Sequence, residues 1–144
     1  MKDISIVKFT EKKQILSAYK IINQFYDKMD VTTYENYVDE MMEGNNYNMV
    51  GIYLEEELIG VVSYWVLTRF YCGRYIQIGN MVVDKRYRNL GIGSTIIDYM
   101  EEEGRKRGCK KFILDSYTEN KESHRMYFRK GFFIEGFHFM KDIV

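Results

Sequence analysis

Residues 88 to 93 read Arg-Asn-Leu-Gly-Ile-Gly and stand between a strand-like run and a helix-like run. Upstream, Tyr75-Ile-Gln-Ile-Gly-Asn-Met-Val-Val83 is rich in apolar and β-branched residues. Downstream, Ser94-Thr-Ile-Ile-Asp-Tyr-Met100 carries apolar residues at helical spacing. A glycine-rich turn that opens a helix presents unpaired backbone N–H groups and the positive end of the helix dipole. Glycine lets a bulky anion approach the backbone, because no Cβ stands in the way. Arg88 adds a positive charge at the rim. The chemistry this supports is pyrophosphate binding by Arg88, Asn89, Leu90, Gly91, Ile92, Gly93 and Ser94. Spacing excludes two other nucleotide loops. No lysine follows the glycines, as a P-loop requires, and Ile96 stands where a dinucleotide fingerprint needs its third glycine.

A second constellation lies downstream. Asn120, Ser123 and Tyr127 fall at i, i+3 and i+7, one face of a helix, and Gly131-Phe132 follows. Together with Arg-x-x-Gly-x-Gly and the short strand Lys111-Phe-Ile-Leu-Asp115, this resembles the GNAT superfamily of N-acetyltransferases. Order and spacing match from about Gln77 to Phe132, and the remainder agrees in element order. The resemblance implies an α/β (α+β) fold with a mixed, mainly antiparallel sheet and helices on both faces. It also implies transfer of acetyl from acetyl-CoA to a primary amine by direct attack in a ternary complex.

Site roles follow from the same resemblance. The pantetheine arm would pair like an added strand with the backbone of Met81, Val82 and Val83, in a gap between two splayed strands. Asn120 and Ser123 would face the cofactor, although Asn120 could equally serve only as a helix cap. Tyr127 would give its phenolic proton to the departing thiolate. Many relatives carry a carboxylate base on the strand before the loop. This chain has Gln77 and Asn80 there, which leaves a water relay or a carboxylate elsewhere, such as Asp27, Asp30 or Glu35; His138 is a further candidate. Lys85 replaces the family's usual proline. Phe25, Tyr26, Tyr34, Tyr37, Tyr64, Trp65, Phe70 and Tyr71 concentrate in the acceptor-side segments. Tyr26, Tyr34, Phe70, Gln77 and Asn80 are therefore the expected acceptor-binding residues.

Ser123-His-Arg-Met-Tyr127 followed by Phe137-His-Phe-Met-Lys141 looks like the subset that acetylates small amines, among them aminoalkylphosphonates and aminoglycosides. Acetylation of a protein N-terminus or a lysine is the alternative. A non-catalytic acyl-CoA sensor is the alternative of another class, favoured by the missing strand carboxylate.

Several elements must position these groups. Ile4 to Phe9 reads as a strand, and Lys12 to Met29 as a helix with Ile15, Leu16, Tyr19, Ile22 and Phe25/Tyr26 at helical spacing. Thr32 or Thr33 can cap a second helix reaching about Met42. Tyr47–Leu54 and Leu58–Arg69 form a hairpin across Glu55-Glu56, and Tyr75–Val83 is the next strand. The helix from Ser94 to Arg107 turns Ile96, Ile97 and Met100 inward. Its i,i+4 pairs Glu101–Arg105, Glu102–Lys106 and Glu103–Arg107 are expected on a solvated face, at about 0.3 kcal/mol each. Gly108 suits its C-cap. A last pair of strands is expected near Phe132–Glu135 and His138–Ile143.

With 144 residues, 46% of them hydrophobic, the chain is expected to form one domain spanning 1–144. Lys plus Arg and Asp plus Glu are equal at 21 each, which argues against a nucleic-acid surface. No apolar run approaches the roughly 18 residues of a membrane span, and the first residues lack a signal-peptide apolar core. Cys72, Cys109, His124 and His138 have no metal-ligand spacing, so no metal is expected. A cytoplasmic enzyme with free thiols is the simplest expectation. A homodimer is compatible with the aromatic-rich surface and the last strands.

Overall fold

The computed structural model describes residues 3–44 and 46–144. Five strands form one sheet in the order β1-β2-β3-β4-β5: β1 Ile4–Lys8, β2 Tyr47–Leu54, β3 Glu57–Arg69, β4 Gly73–Val83 and β5 Lys111–Ile113. Neighbours from β1 to β4 are antiparallel and β5 joins β4 in parallel. The helices are α1 Lys12–Ser17, α2 Tyr19–Ile22, α3 Val31–Met42, α4 Ile92–Lys106 and α5 Lys121–Arg129. Residues up to Ile113 form one compact unit, and Leu114–Val144 form a second.

Helices cover the sheet from two sides. Ile15, Ala18, Ile21 and Ile22, with Tyr34 and Val38 of α3, bury themselves with Met49, Leu58, Val61 and Val82. Side chains alternate along β3, so Val62 and Tyr64 point away from Val61, and the field of Glu103 on α4 reaches Tyr64. α4 buries Ile92, Ile96, Ile97 and Met100. It approaches β4 so closely that a Cβ on Gly104 would meet Ile76 Cγ2 at 3.0 Å.

Four expectations are corrected. The single helix over residues 12–29 is instead α1, α2 and a turn. The Asn23 amide donates to the carbonyls of Tyr26 and Met29, each at 3.1 Å, and the Tyr19 hydroxyl donates to Met29 at 2.8 Å. Those side chains take the carbonyls that a continuing helix would use. The cap of α3 is Asp30, whose carboxylate accepts the Thr33 N–H at 2.8 Å, and not a threonine. Glu103 is not solvated. It lies three residues beyond Met100, on the inner stripe, is only 6% exposed, and pairs with Lys8 at 2.6 Å and Arg107 at 3.4 Å. Residues 132–143 contain no strand. Phe133, Phe137, Phe139 and Met140 are all exposed, and a lone two-stranded hairpin is marginal without a face to bury.

Candidate active site

β4 lines one side of the site because its two edges differ. β3 pairs with it along its whole length, from Gly73 to Val83. β5 pairs only with Tyr75, Ile76 and Gln77. Among the described residues no strand adjoins β4 on that side beyond Gln77, so Met81–Val83 face no neighbouring strand there, and of their backbone groups the Val83 carbonyl accepts Arg88 Nε. An extended chain with amide groups can add to such an edge.

A bulge re-aims β4 just before that edge. Ser63 pairs with Asn80 and Tyr64 with Ile78, which leaves Gly79 unmatched. Only glycine fits, because a Cβ would stand 2.4 Å from Trp65 Cζ3. The Asn80 N–H turns to the Ser63 hydroxyl at 3.0 Å, and its side-chain amide donates to the Tyr26 hydroxyl at 2.7 Å.

The loop at the end of β4 leaves backbone donors unpaired. Asp84 caps a 3-10 turn over Lys85–Tyr87, and Asn89 (φ 62°) and Gly91 (φ 81°) are both left-handed. Left-handed residues of this kind gather successive N–H groups into a concave nest. The first α4 bond is Thr95 N–H to the Gly91 carbonyl, and no side chain caps the helix start. The N–H groups of Ile92, Gly93 and Ser94 are thus the orphan donors of the first turn. A Cβ on Gly91 would meet nothing within 4 Å, so its glycine is required by φ rather than by space. Arg88 is exposed, with its Nε on the Val83 carbonyl at 3.1 Å.

A cavity of about 480 Å³ opens beside Phe25, Tyr26, Asp27, Lys28, Met29, Thr33 and Tyr37. The Tyr26–Asn80 bond ties this cavity to the bulge of β4. Of the expected acceptor residues, Tyr26 lines it, and Asn80 lies behind it, bonded to the Tyr26 hydroxyl. Gln77 remains in β4, between Trp65 and Ile113. Tyr34 is elsewhere: it is 3% exposed and its hydroxyl donates to the Ile15 carbonyl at 2.6 Å. Burial pushes that phenol well above its ordinary pKa. Phe70 is fully exposed just beyond β3 and does not line the cavity. Phe25 and Tyr37, singled out only as part of an aromatic cluster, line it. Met29, expected only as a helix end, and Thr33, expected only as a cap, line it too, because the break after Ile22 brings the turn and the start of α3 together.

The second unit carries the other constellation. Asn120 occupies the N-cap position of α5, with no side-chain capping bond, and its carbonyl accepts the His124 N–H at 3.2 Å. Ser123 and Tyr127 are hydrogen-bonded to each other one turn apart. Tyr127 packs edge-on against Phe132, with ring centroids 5.7 Å apart. Burial raises the Tyr127 pKa, against a smaller lowering by Ser123, so the phenol keeps its proton at neutral pH. His138 lies 3.6 Å from Asp115. Among the described residues no group of three or more His, Cys, Asp or Glu is arranged to hold a metal, and no helix is long and apolar enough to cross a membrane.

An open strand edge, a bulge and a helix start with uncapped N–H groups thus meet at the end of β4. The profile of the acetyltransferase (GNAT) family matches residues 15–132. The chain belongs to that family and is an acetyl-CoA-dependent N-acetyltransferase. It is 24% identical to the uncharacterized N-acetyltransferase YhdJ of Bacillus subtilis, over 97% of this chain and 99% of that protein. It is 25% identical to a spermine/spermidine N(1)-acetyltransferase of the same organism, over 69% of this chain and 68% of that one. The aminoglycoside acetyltransferase AAC(6')-Iy, solved with a CoA bisubstrate analogue, shares its fold with a TM-score of 0.82 at 15% identity, over 99% and 100% of the two chains.

Proposed function

We propose that this chain acetylates the primary amine of a small molecule by direct attack on acetyl-CoA in a ternary complex, as one domain of residues 1–144 working in the cytoplasm. The observation that carries this reading is the strand-free Met81–Val83 edge, with Arg88 on its last carbonyl, leading into the Asn89–Gly91 nest. The pyrophosphate sits on the N–H groups of Ile92, Gly93 and Ser94, with Arg88 at the rim, and the pantetheine amides pair with the β4 edge. Held there, the thioester carbonyl is oriented and the barrier falls chiefly through proximity.

The acceptor enters by the cavity at Phe25, Tyr26 and Tyr37, where aromatic faces suit an amine-bearing small molecule. The amine must lose a proton before or during attack, and Asp27 is the carboxylate that lines this cavity. The neutral Tyr127 phenol protonates the departing thiolate, with Ser123 orienting the hydroxyl and Asn120 on the same helix face. The spermine/spermidine and aminoglycoside acetyltransferases it is similar to favour a small amine over a protein acceptor.

Thiol release from acetyl-CoA against a panel of polyamines, aminosugars and aminoalkylphosphonates tests this, with a peptide N-terminus as control. Turnover on a small amine, falling about a hundredfold in Tyr127→Phe while acetyl-CoA affinity holds, is expected. Turnover on the peptide alone would shift the acceptor class. Tight acetyl-CoA binding with no turnover would favour a sensor.

A further inference from the structure

Beneath the anion loop lies a buried carboxylate that takes no part in the chemistry described above. Asp84 is 4% exposed. Its Oδ1 accepts the Arg86 N–H at 2.9 Å and Arg86 Nε at 3.2 Å, and its Oδ2 accepts Arg86 Nη2 at 3.0 Å. The same guanidinium bonds to Glu57 at the start of β3, whose other oxygen accepts the Tyr87 hydroxyl at 2.9 Å. From the acceptor side, Gln24 Oε1 accepts the Lys85 N–H at 2.9 Å, and its side chain also hydrogen-bonds Asp84.

We propose that Asp84 is a positioning residue: clamped by Arg86–Glu57 on one side and Gln24 on the other, it sets the register of the pyrophosphate loop. This rests on the acetyl-CoA reading of that loop. The logic is mechanical. The chain has only Arg88 between the clamped Lys85–Tyr87 turn and left-handed Asn89, so a slip in that turn moves every N–H of the nest. Misplacement of binding groups by about 1 Å can cost on the order of a hundredfold. The usual proline of the family's turn would hold φ without help; here Lys85 stands in its place, and its N–H is used to tie the turn to Gln24. A carboxylate buried this deeply is costly unless its lone pairs are filled. Here one arginine and one glutamine fill them, and both belong to segments flanking the site.

The test compares acetyl-CoA with S-acetylpantetheine, which lacks the pyrophosphate, by calorimetry on wild type, Asp84→Asn, Glu57→Gln and Gln24→Ala. Wild type should prefer acetyl-CoA strongly. Asp84→Asn and Glu57→Gln should weaken acetyl-CoA by about tenfold and leave S-acetylpantetheine within about twofold, and Gln24→Ala should do the same more mildly. A role in stability alone would lower the thermal midpoint and leave the preference intact, or weaken both thioesters alike; either result overturns the proposal. If Asp84→Asn does not fold, the partly exposed Glu57→Gln carries the test. A wild type that binds neither thioester, or both equally, would instead sink the loop assignment on which the proposal stands.

Discussion

The proposed pyrophosphate loop and the proposed acceptor turn are both short connections in the first unit, yet they are held in opposite ways. The loop from Arg88 to Gly91 takes its shape from backbone conformation: two left-handed residues, a helix start and a glycine with open space around it. The turn from Asn23 to Met29 takes its shape from side chains, with Asn23 and Tyr19 capturing carbonyls that a helix would have used. On the proposed assignment the loop holds a pyrophosphate, which is the same in every acyl-CoA, so a backbone device would serve it. An acceptor varies from one enzyme to the next, and a turn held by side chains can be reshaped by single substitutions.

That contrast can be broken or sharpened by experiment, beginning where the effect is largest. Gly91→Asp forces a left-handed φ on a residue with a Cβ and places a carboxylate among donors meant for an anion. Acetyl-CoA affinity should fall about a hundredfold or more by calorimetry, while the left-handed φ costs the fold about 1 kcal/mol and leaves the protein folded. Gly79→Ala does the reverse. Its Cβ would press on Trp65, so the midpoint of denaturant unfolding should drop by about 2 kcal/mol.

Acid titration probes the base of the loop. The Arg86 side chain, with the Arg86 N–H and Gln24, lowers the Asp84 pKa from its ordinary 3.8 to about 2. A carboxylate depressed in the folded state contributes stability above its unfolded pKa and loses it as pH falls through the folded value. Wild type should therefore lose up to about 2 kcal/mol between pH 4 and 2, and Asp84→Asn should lack that part of the slope in urea melts. The smallest effect belongs to the acceptor turn. Tyr26→Phe removes one hydrogen bond from Asn80 and should raise the acceptor KM about fivefold, with acetyl-CoA affinity unchanged.

The same contrast governs how much of the molecule was legible in its residues. The strand–loop–helix around Arg88–Gly93 could be read because glycine spacing, β-branched runs and helical periodicity are local signals. The break after Ile22 could not, because the bonds that stop the helix come from residues whose partners depend on the turn itself. Glu103 was misread as solvated because an acidic run hid its place one turn beyond Met100. Gly79 did carry a signal, since an isolated glycine in a strand points to a bulge, and it marks where Trp65 crosses the chain. Tyr34 shows the limit of aromatic counting: Ile15 and the core claim it, while Phe25, three residues past the end of α2, lines the cavity.

Calorimetric titration of acetyl-CoA into wild type and Gly91→Asp tests the central claim most directly. The account predicts saturable one-to-one binding in the wild type that collapses in the variant while the variant remains folded at the temperature of the titration. Equal affinity in the two, or no binding in the wild type, would contradict the assignment of the Arg88–Gly93 loop as the pyrophosphate site.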